Sequence, residues 1–250
     1  MSAATPENKL MDRGSVGPPA RTNSNSTARS DSPAWEVLSL AFVCGCVDAI
    51  SLILLKVFTS IMSGNTTTTG LKLGQGRLED AAQSFLPIPM FALGVLLSAL
   101  FETRKGGQDV SRVIAWAVIV LCAGLGVLAV NAPNWTAVSL LSLAMGMLTM
   151  IATTLRGQSV SFGAVTGDLK NVGQNAARGL SGTPVPDPEG PGDTAWRRAG
   201  VALSVWAAFL IGAVAGSVLE GWVGIWALVL PILVLLALLA GNLSKQANAA

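Results

Sequence analysis

The chain has 250 residues, of which 51% are hydrophobic and only 12% charged, and its net charge is +2. A soluble domain carries about 25% charged residues, so this composition points to an integral membrane protein. The absence of His removes the commonest general base and metal ligand, and no basic stretch is interleaved with aromatics as nucleic-acid binding would require; no enzymatic activity, metal, cofactor or nucleic-acid partner is expected.

Residues 1–33 are rich in Ser, Asn, Thr, Pro and Gly without apolar periodicity, which reads as a disordered polar tail. Six apolar blocks follow, roughly Val37 to Leu55, Phe85 to Phe101, Val113 to Val130, Trp135 to Leu155, Val201 to Leu219, and Trp222 to Ala240. A hydrocarbon core about 30 Å thick needs about 20 apolar helical residues, and each block meets that length. The expected fold class is therefore all-α, a bundle of six transmembrane helices. Pro87 and Pro89 fall in the first turn of the second block, where a missing N–H costs little. Trp35, Trp135 and Trp222 fall near block ends, where interfacial aromatics belong. Cys44, Cys46 and Cys122 lie inside apolar blocks and read as small hydrophobes.

Of the 16 Lys and Arg residues, all but Lys56, Lys72 and Arg77 fall in the tails or in the second and fourth connections. The positive-inside rule then places both termini in the cytoplasm, and the plasma membrane is the expected location.

Two segments of the chain resemble one another. Ser63-Gly64-Asn65 follows the first block and Thr166-Gly167-Asp168 the fourth; Gly70 and Gly76 are matched by Gly173 and Gly179, and Gly45 by Gly146. The second block carries Phe91, Gly94, Ser98 and Glu102 at the spacing of Phe209, Gly212, Gly216 and Glu220 in the fifth. A Pro/Gly-rich insertion over residues 180–193 accounts for the longer second loop. The domains read as two three-helix units, 34–130 and 131–250. An odd number of spans per unit forces opposite orientations, the 3+3 inverted-topology repeat on which many transporters and channels are built.

The run Gly45-Cys46-Val47-Asp48-Ala49, then Phe58 and Ser63-Gly64-Asn65-Thr66, resembles the opening signature of the YoaK-like family, small bacterial membrane proteins classed as a domain of unknown function. Ala144-Met145-Gly146, Val165-Thr166-Gly167 and the Phe209 to Gly216 helix extend the likeness over nearly all of 34–245. The chain departs from the family at Ser63, often Thr, and at Leu148 and Thr149, often a Gln-Asn pair. The resemblance implies six membrane helices and supplies no substrate.

Asp48 is the most informative residue, because a carboxylate inside an apolar block costs about 3 kcal/mol or more unless it faces the bundle or water. Two readings stand: a proton or cation relay, or a hydrogen-bond anchor beside a bend at Gly45. The loops at Gly64, Asn65 and Thr66, and at Gly167 and Asp168, offer polar ligands and read either as re-entrant segments lining a pathway or as interfacial turns. Glu102 and Glu220 end matched helices and, with Arg156, are candidate gate or interface charges. Gly45, Gly94, Ser98, Gly212 and Gly216 are candidate helix-packing positions, since small residues let membrane helices approach closely, and they also leave room for a homodimer. The expected partners are the lipid bilayer and a small solute or ion; the function expected is a small permease or channel, the alternative a non-transporting scaffold, sensor or assembly subunit.

Overall fold

The computed structural model describes residues 33–105, 110–151, 153–155, 158–160, 165–186, 188 and 192–249, with the side chains of 102–105, 153–155, 158–160 and 249 outside that description. The polar tail expected over 1–33 thus lies outside the described residues, Pro33 excepted. The elements are α1 (Ala34–Leu55), α2 (Met62–Gly74), α3 (Leu78–Phe85), α4 (Pro87–Lys105), α5 (Val110–Ala129), α6 (Asn134–Thr149), a hairpin of β1 (Thr153–Leu155) and β2 (Gln158–Val160), α7 (Val165–Ser181), α8 (Ala195–Val223), a 3₁₀ segment (Gly224–Leu228) and α9 (Val229–Ala249).

Among the described residues four helical stretches are long and apolar enough to cross a membrane: Ala34–Leu55, Leu78–Phe101, Val110–Ala129 and Ala195–Asn248. The last holds 54 residues. At about 1.5 Å per residue it would run far beyond one hydrocarbon core of about 30 Å. The chain breaks it at Gly224, whose φ of +59° suits glycine alone, and α8 and α9 lie on either side. Trp222 therefore belongs to the last turn of α8 and does not open the final helix. The fourth apolar block also ends sooner than its composition suggests. The helix stops at Thr149, the N–H groups of Met150 and Ile151 tighten onto Met147 and Leu148, and Thr153–Leu155 pairs as a strand. The Thr-Thr pair there suits extended backbone, and pairing with Gln158–Val160 draws it out of the hydrophobic run.

The glycine-bearing segments expected as loops are helical. Ser63 to Gly70 lies within α2 and Thr166 to Gly173 within α7. Each follows its apolar helix and precedes the next, as α1–α2–α4 and α6–α7–α8, the second connection being longer and holding the hairpin.

Two close helix crossings organise the bundle, α1 against α8 and α4 against α6. A Cβ on Gly45 would stand 2.0 Å from the Phe209 carbonyl oxygen, and one on Gly212 would stand 2.0 Å from the Phe42 oxygen. At the other crossing a Cβ on Gly94 would lie 2.1 Å from the Leu143 oxygen, and one on Gly146 lies 2.1 Å from the Phe91 oxygen. In all four cases the obstructing carbonyl belongs to the residue three before the partner glycine, so the crossings match position for position. Gly216 on Cys46 repeats the Gly212 contact on Phe42 one turn further along both helices, so α1 and α8 run parallel. Around them α5 packs on α6 and α9, and α9 on α1. Leu40, Ile50, Ile114, Leu141, Met145 and Leu235 form part of the buried core, while Leu96, Ile119, Val214 and Leu233 point outward, as lipid-facing residues do. These helices form an integral membrane bundle.

Candidate functional site

The first connection is built around Asp48. Helix α1 ends at Lys56, which takes the left-handed conformation (φ 60°) and returns its N–H to Leu52, while its ammonium caps the Ile53 carbonyl at 2.8 Å. That reversal carries residues 57–61 back alongside the last turns of α1. Asp48 Oδ1 accepts from the Thr59 N–H at 2.7 Å, the Thr59 hydroxyl at 3.0 Å and the Ser60 N–H at 2.8 Å; Oδ2 accepts from the Ser60 hydroxyl. The carboxyl is 3% exposed and takes four donors from two adjacent residues. Hydrogen bonds to charged groups contribute about 1.5–3 kcal/mol each, so such a set offsets the cost of burying the group. The arrangement is that of an anchor, with the carboxyl turned into the linker instead of an open cavity.

Asn65 holds the same linker from the other side. Its Oδ1 accepts the Phe58 N–H at 3.0 Å and its Nδ2 donates to the Phe58 carbonyl at 2.6 Å, a two-point clamp on one peptide residue. The Phe58 ring covers Gly64, where a Cβ would stand 2.9 Å from it. Thr66, one residue on, is exposed and donates its hydroxyl to the Met62 carbonyl at 2.9 Å. Asp48, Gly64 and Asn65 therefore converge on one linker.

The second connection differs. Thr149 stands where the glycine register puts Asp48, three residues after Gly146, and its hydroxyl bonds the Met145 carbonyl of its own helix. Asp168 stands in the place of Asn65, in the first turn of α7, and is 5% exposed. Helix α7 is outside the apolar stretches, and burial pushes the Asp168 carboxyl up from 3.8 to about 6. Among the described residues no hydrogen bond or ion pair reaches it. Gly167 is half-buried beside it. The two polar sets sit on separate connections and are not joined by any bond among the described residues.

Of the charges ending matched helices, Arg156 and the Glu102 side chain lie outside the described residues. Glu220 is half-buried, and its carbonyl accepts the Gly224 N–H that closes α8. Ser98 is 3% exposed, one turn beyond Gly94.

Sequence reasoning missed a third polar cluster at the end of the bundle that joins the starts of α1 and α5 to the end of α9. Glu36 is 5% exposed. Its carboxylate accepts from Asn242 Nδ2 at 3.4 Å and lies 3.8 Å from Lys245 Nζ. Lys245 also lies 5.0 Å from the Trp35 ring centroid, and Gln246 donates to the Ser111 hydroxyl at 3.2 Å. Apart from this cluster, α1 and α6 share the opening Pro33-x-Trp35 and Pro133-x-Trp135. Both prolines are extended, with ψ of 138° and 134°, and both start a helix.

A family described as "Protein of unknown function (DUF1275)" matches residues 37–241. The UPF0700 transmembrane protein RA0705 of Rhizobium meliloti (strain 1021) is 32% identical over 211 residues, spanning 82% of this chain and 83% of that protein. No solved structure matches the chain.

Proposed function

Because the chain belongs to the DUF1275 family of membrane proteins of unknown function, we propose that it is a small permease or channel moving a small solute or ion, built on six spans in a 3+3 inverted repeat. The observation that carries this reading is the pair of interchangeable crossings. Exchanging α1 with α6 and α4 with α8 turns the contact set of Gly45, Phe209, Gly212 and Phe42 into that of Gly146, Phe91, Gly94 and Leu143. The first helix of each unit thus packs on the second helix of the other. Two halves that interlock this way share one interface, and inverted repeats place a permeation site at such an interface. The parallel run of α1 and α8 supports six spans, since three crossings between them, by α4, α5 and α6, bring the chain back to the same sense.

In this reading α2 and α7 are short polar helices at opposite faces, Asn65 and Asp168 are equivalent positions, and Thr66 and Gly167 border the pathway. Glu102, Glu220 and Arg156 are gate or interface charges. The protein sits in the plasma membrane with both termini cytoplasmic, and acts without catalytic chemistry. Flux through proteoliposomes containing the purified chain is the test. Uptake of a small cation, anion or polar solute above empty vesicles, reduced at least tenfold by Asp168→Asn, supports the reading; a panel of such solutes at background rates discards it.

A second reading, a non-transporting scaffold or assembly subunit, is favoured by Asp48. Its four donors bind it into the linker, which suits a fixed bundle better than a relay. Under that reading Asp48→Asn alters stability and leaves every flux at background.

A further inference from the structure

Beyond transport, the insertion that distinguishes the second unit forms a cleft of its own. Between the end of α7 and the start of α8 lies a cavity of about 400 Å³, lined among others by Arg178, Thr183, Pro184, Val185, Thr194 and Trp196. Its walls are fixed. Asp193 and Arg198 pair at 2.6 Å with side-chain exposures of 1% and 13%, and the guanidinium Nε also reaches the carboxylate at 3.0 Å. Trp196 lies flat enough on α7 that a Cβ on Gly179 would stand 2.6 Å from its indole. Gly182, with φ of +66°, makes the turn that ends α7.

The chemistry of the lining is divided. Asp193 is committed to Arg198, so among the described lining residues the charge left facing the cleft is Arg178, whose contact with Asn175 Oδ1 is a long 3.4 Å. A guanidinium fork with spare N–H groups suits a phosphate. Thr194 accepts the Arg197 N–H on its hydroxyl oxygen and keeps its own proton to donate. Beside these polar groups the lining is apolar and outward-facing: Trp196 is 55% exposed and Pro184 is exposed too. A soluble anion would gain nothing from that rim, whereas glycerol and acyl carbons would. Trp196 also lies at the end of the bundle that bears Trp35, because α1 and α8 run parallel, and tryptophans at such ends mark headgroup level.

We propose that this cleft seats the phosphate of an anionic phospholipid, with Arg178 as its cationic ligand, Thr194 as a hydroxyl donor, and Trp196 and Pro184 against the glycerol and upper acyl carbons. The inference stands independently of transport, and its test reads binding alone. The full-length chain, purified in a neutral detergent, would be titrated with phosphatidylglycerol and, separately, with phosphatidylcholine, glycerol phosphate and inorganic phosphate. Binding would be read by native mass spectrometry and by the rise in unfolding temperature that a ligand of the folded state produces. The expected result is saturable binding of phosphatidylglycerol, at least tenfold tighter than phosphatidylcholine, weakened about tenfold by Arg178→Gln and restored in part by Arg178→Lys. Gly179→Leu, which displaces Trp196, should weaken binding similarly with Arg178 intact. Lys245→Gln, at the same end but outside the cleft, should leave it unchanged. Equal affinity in wild type and Arg178→Gln overturns the assignment, as does equal affinity for the two lipids. Full competition by inorganic phosphate at matched concentration overturns the lipid source in favour of a soluble anion. If Arg178→Gln does not fold, Arg178→Lys and Gly179→Leu decide the matter by the same comparison.

Discussion

The linker after α1 and the linker after α6 leave helices that cross their partners in the same way, yet they are held differently. Residues 56–61 are drawn onto α1 by Asp48 and clamped by Asn65. Across the second linker, Thr149 turns its hydroxyl back into its own helix and Asp168 is buried with no donor among the described residues. The crossings keep their pattern because a backbone carbonyl sits about where a Cβ would go, and no rotamer can relieve that. The linkers lie beyond the crossings, so a carboxylate can serve as an anchor in one and stay uncommitted in the other. Sameness follows from sterics, and difference from freedom to choose polar partners.

The comparison breaks most severely if the crossings are not equivalent. Gly45→Leu and Gly146→Leu each drive a side chain into a backbone carbonyl, so the cost should exceed the 1–3 kcal/mol of ordinary overpacking. Both variants should lose the monodisperse folded peak in detergent size-exclusion chromatography. Loss in one alone would mean that only one crossing is essential.

The next effect separates the linkers. Asp48→Ala removes the acceptor of four donors and strands two hydroxyls and two N–H groups, a loss of about 3–5 kcal/mol by analogy with breaking a buried charged partner. Thr149→Val, at the matching position, removes one hydroxyl bonded to its own helix and should cost about 1 kcal/mol or less. Thermal unfolding of the two variants checks the ratio. Similar losses would mean that the second linker is anchored as firmly as the first.

The helices α1, α4, α5, α8 and α9 were legible in the sequence because lipid demands long apolar runs, and the glycines at the crossings because close approach demands small residues. The end of α6 was not legible. Its apolar block runs on past Thr149, while the chain leaves the helix to pair Thr153–Leu155, a tertiary choice that hydropathy does not register. The polar segments at Ser63 and Thr166 looked like turns because Gly, Asn and Thr are poor helix formers, and they are helical nonetheless. Asp48 was found by its cost, but its partners were not, since Thr59 and Ser60 resemble any loop residues until Lys56 reverses the chain. Glu36 was overlooked because it stands at the first turn of its block, where a charge normally reaches water, whereas the end of α9 folds over it.

A smaller effect comes from Asp168. Its folded-state carboxyl is raised from 3.8 to about 6, so the folded protein holds the proton more tightly than the unfolded chain. Stability is then greatest below about pH 4 for this group and declines as pH rises to about 6, by on the order of 2–3 kcal/mol in all. Asp168→Asn should flatten that slope in denaturation midpoints measured across the window. The smallest effect belongs to Gly70 and Gly173, helical positions where a Cβ meets nothing within 4 Å. Gly70→Ala and Gly173→Ala should each stabilise by about 0.5–1 kcal/mol through helix propensity, the opposite sign to any substitution at Gly45, and the same unfolding assay checks it.

The opposed orientation of the two halves is tested most directly by sidedness. In a chain whose Cys44, Cys46 and Cys122 are replaced by Ala, single cysteines at exposed Gln75, after α2, and exposed Thr183, after α7, would be challenged with a membrane-impermeant thiol reagent in intact cells and in inverted vesicles. Labelling of Gln75→Cys from one side and Thr183→Cys from the other is the expected result; labelling of both from the same side would contradict it.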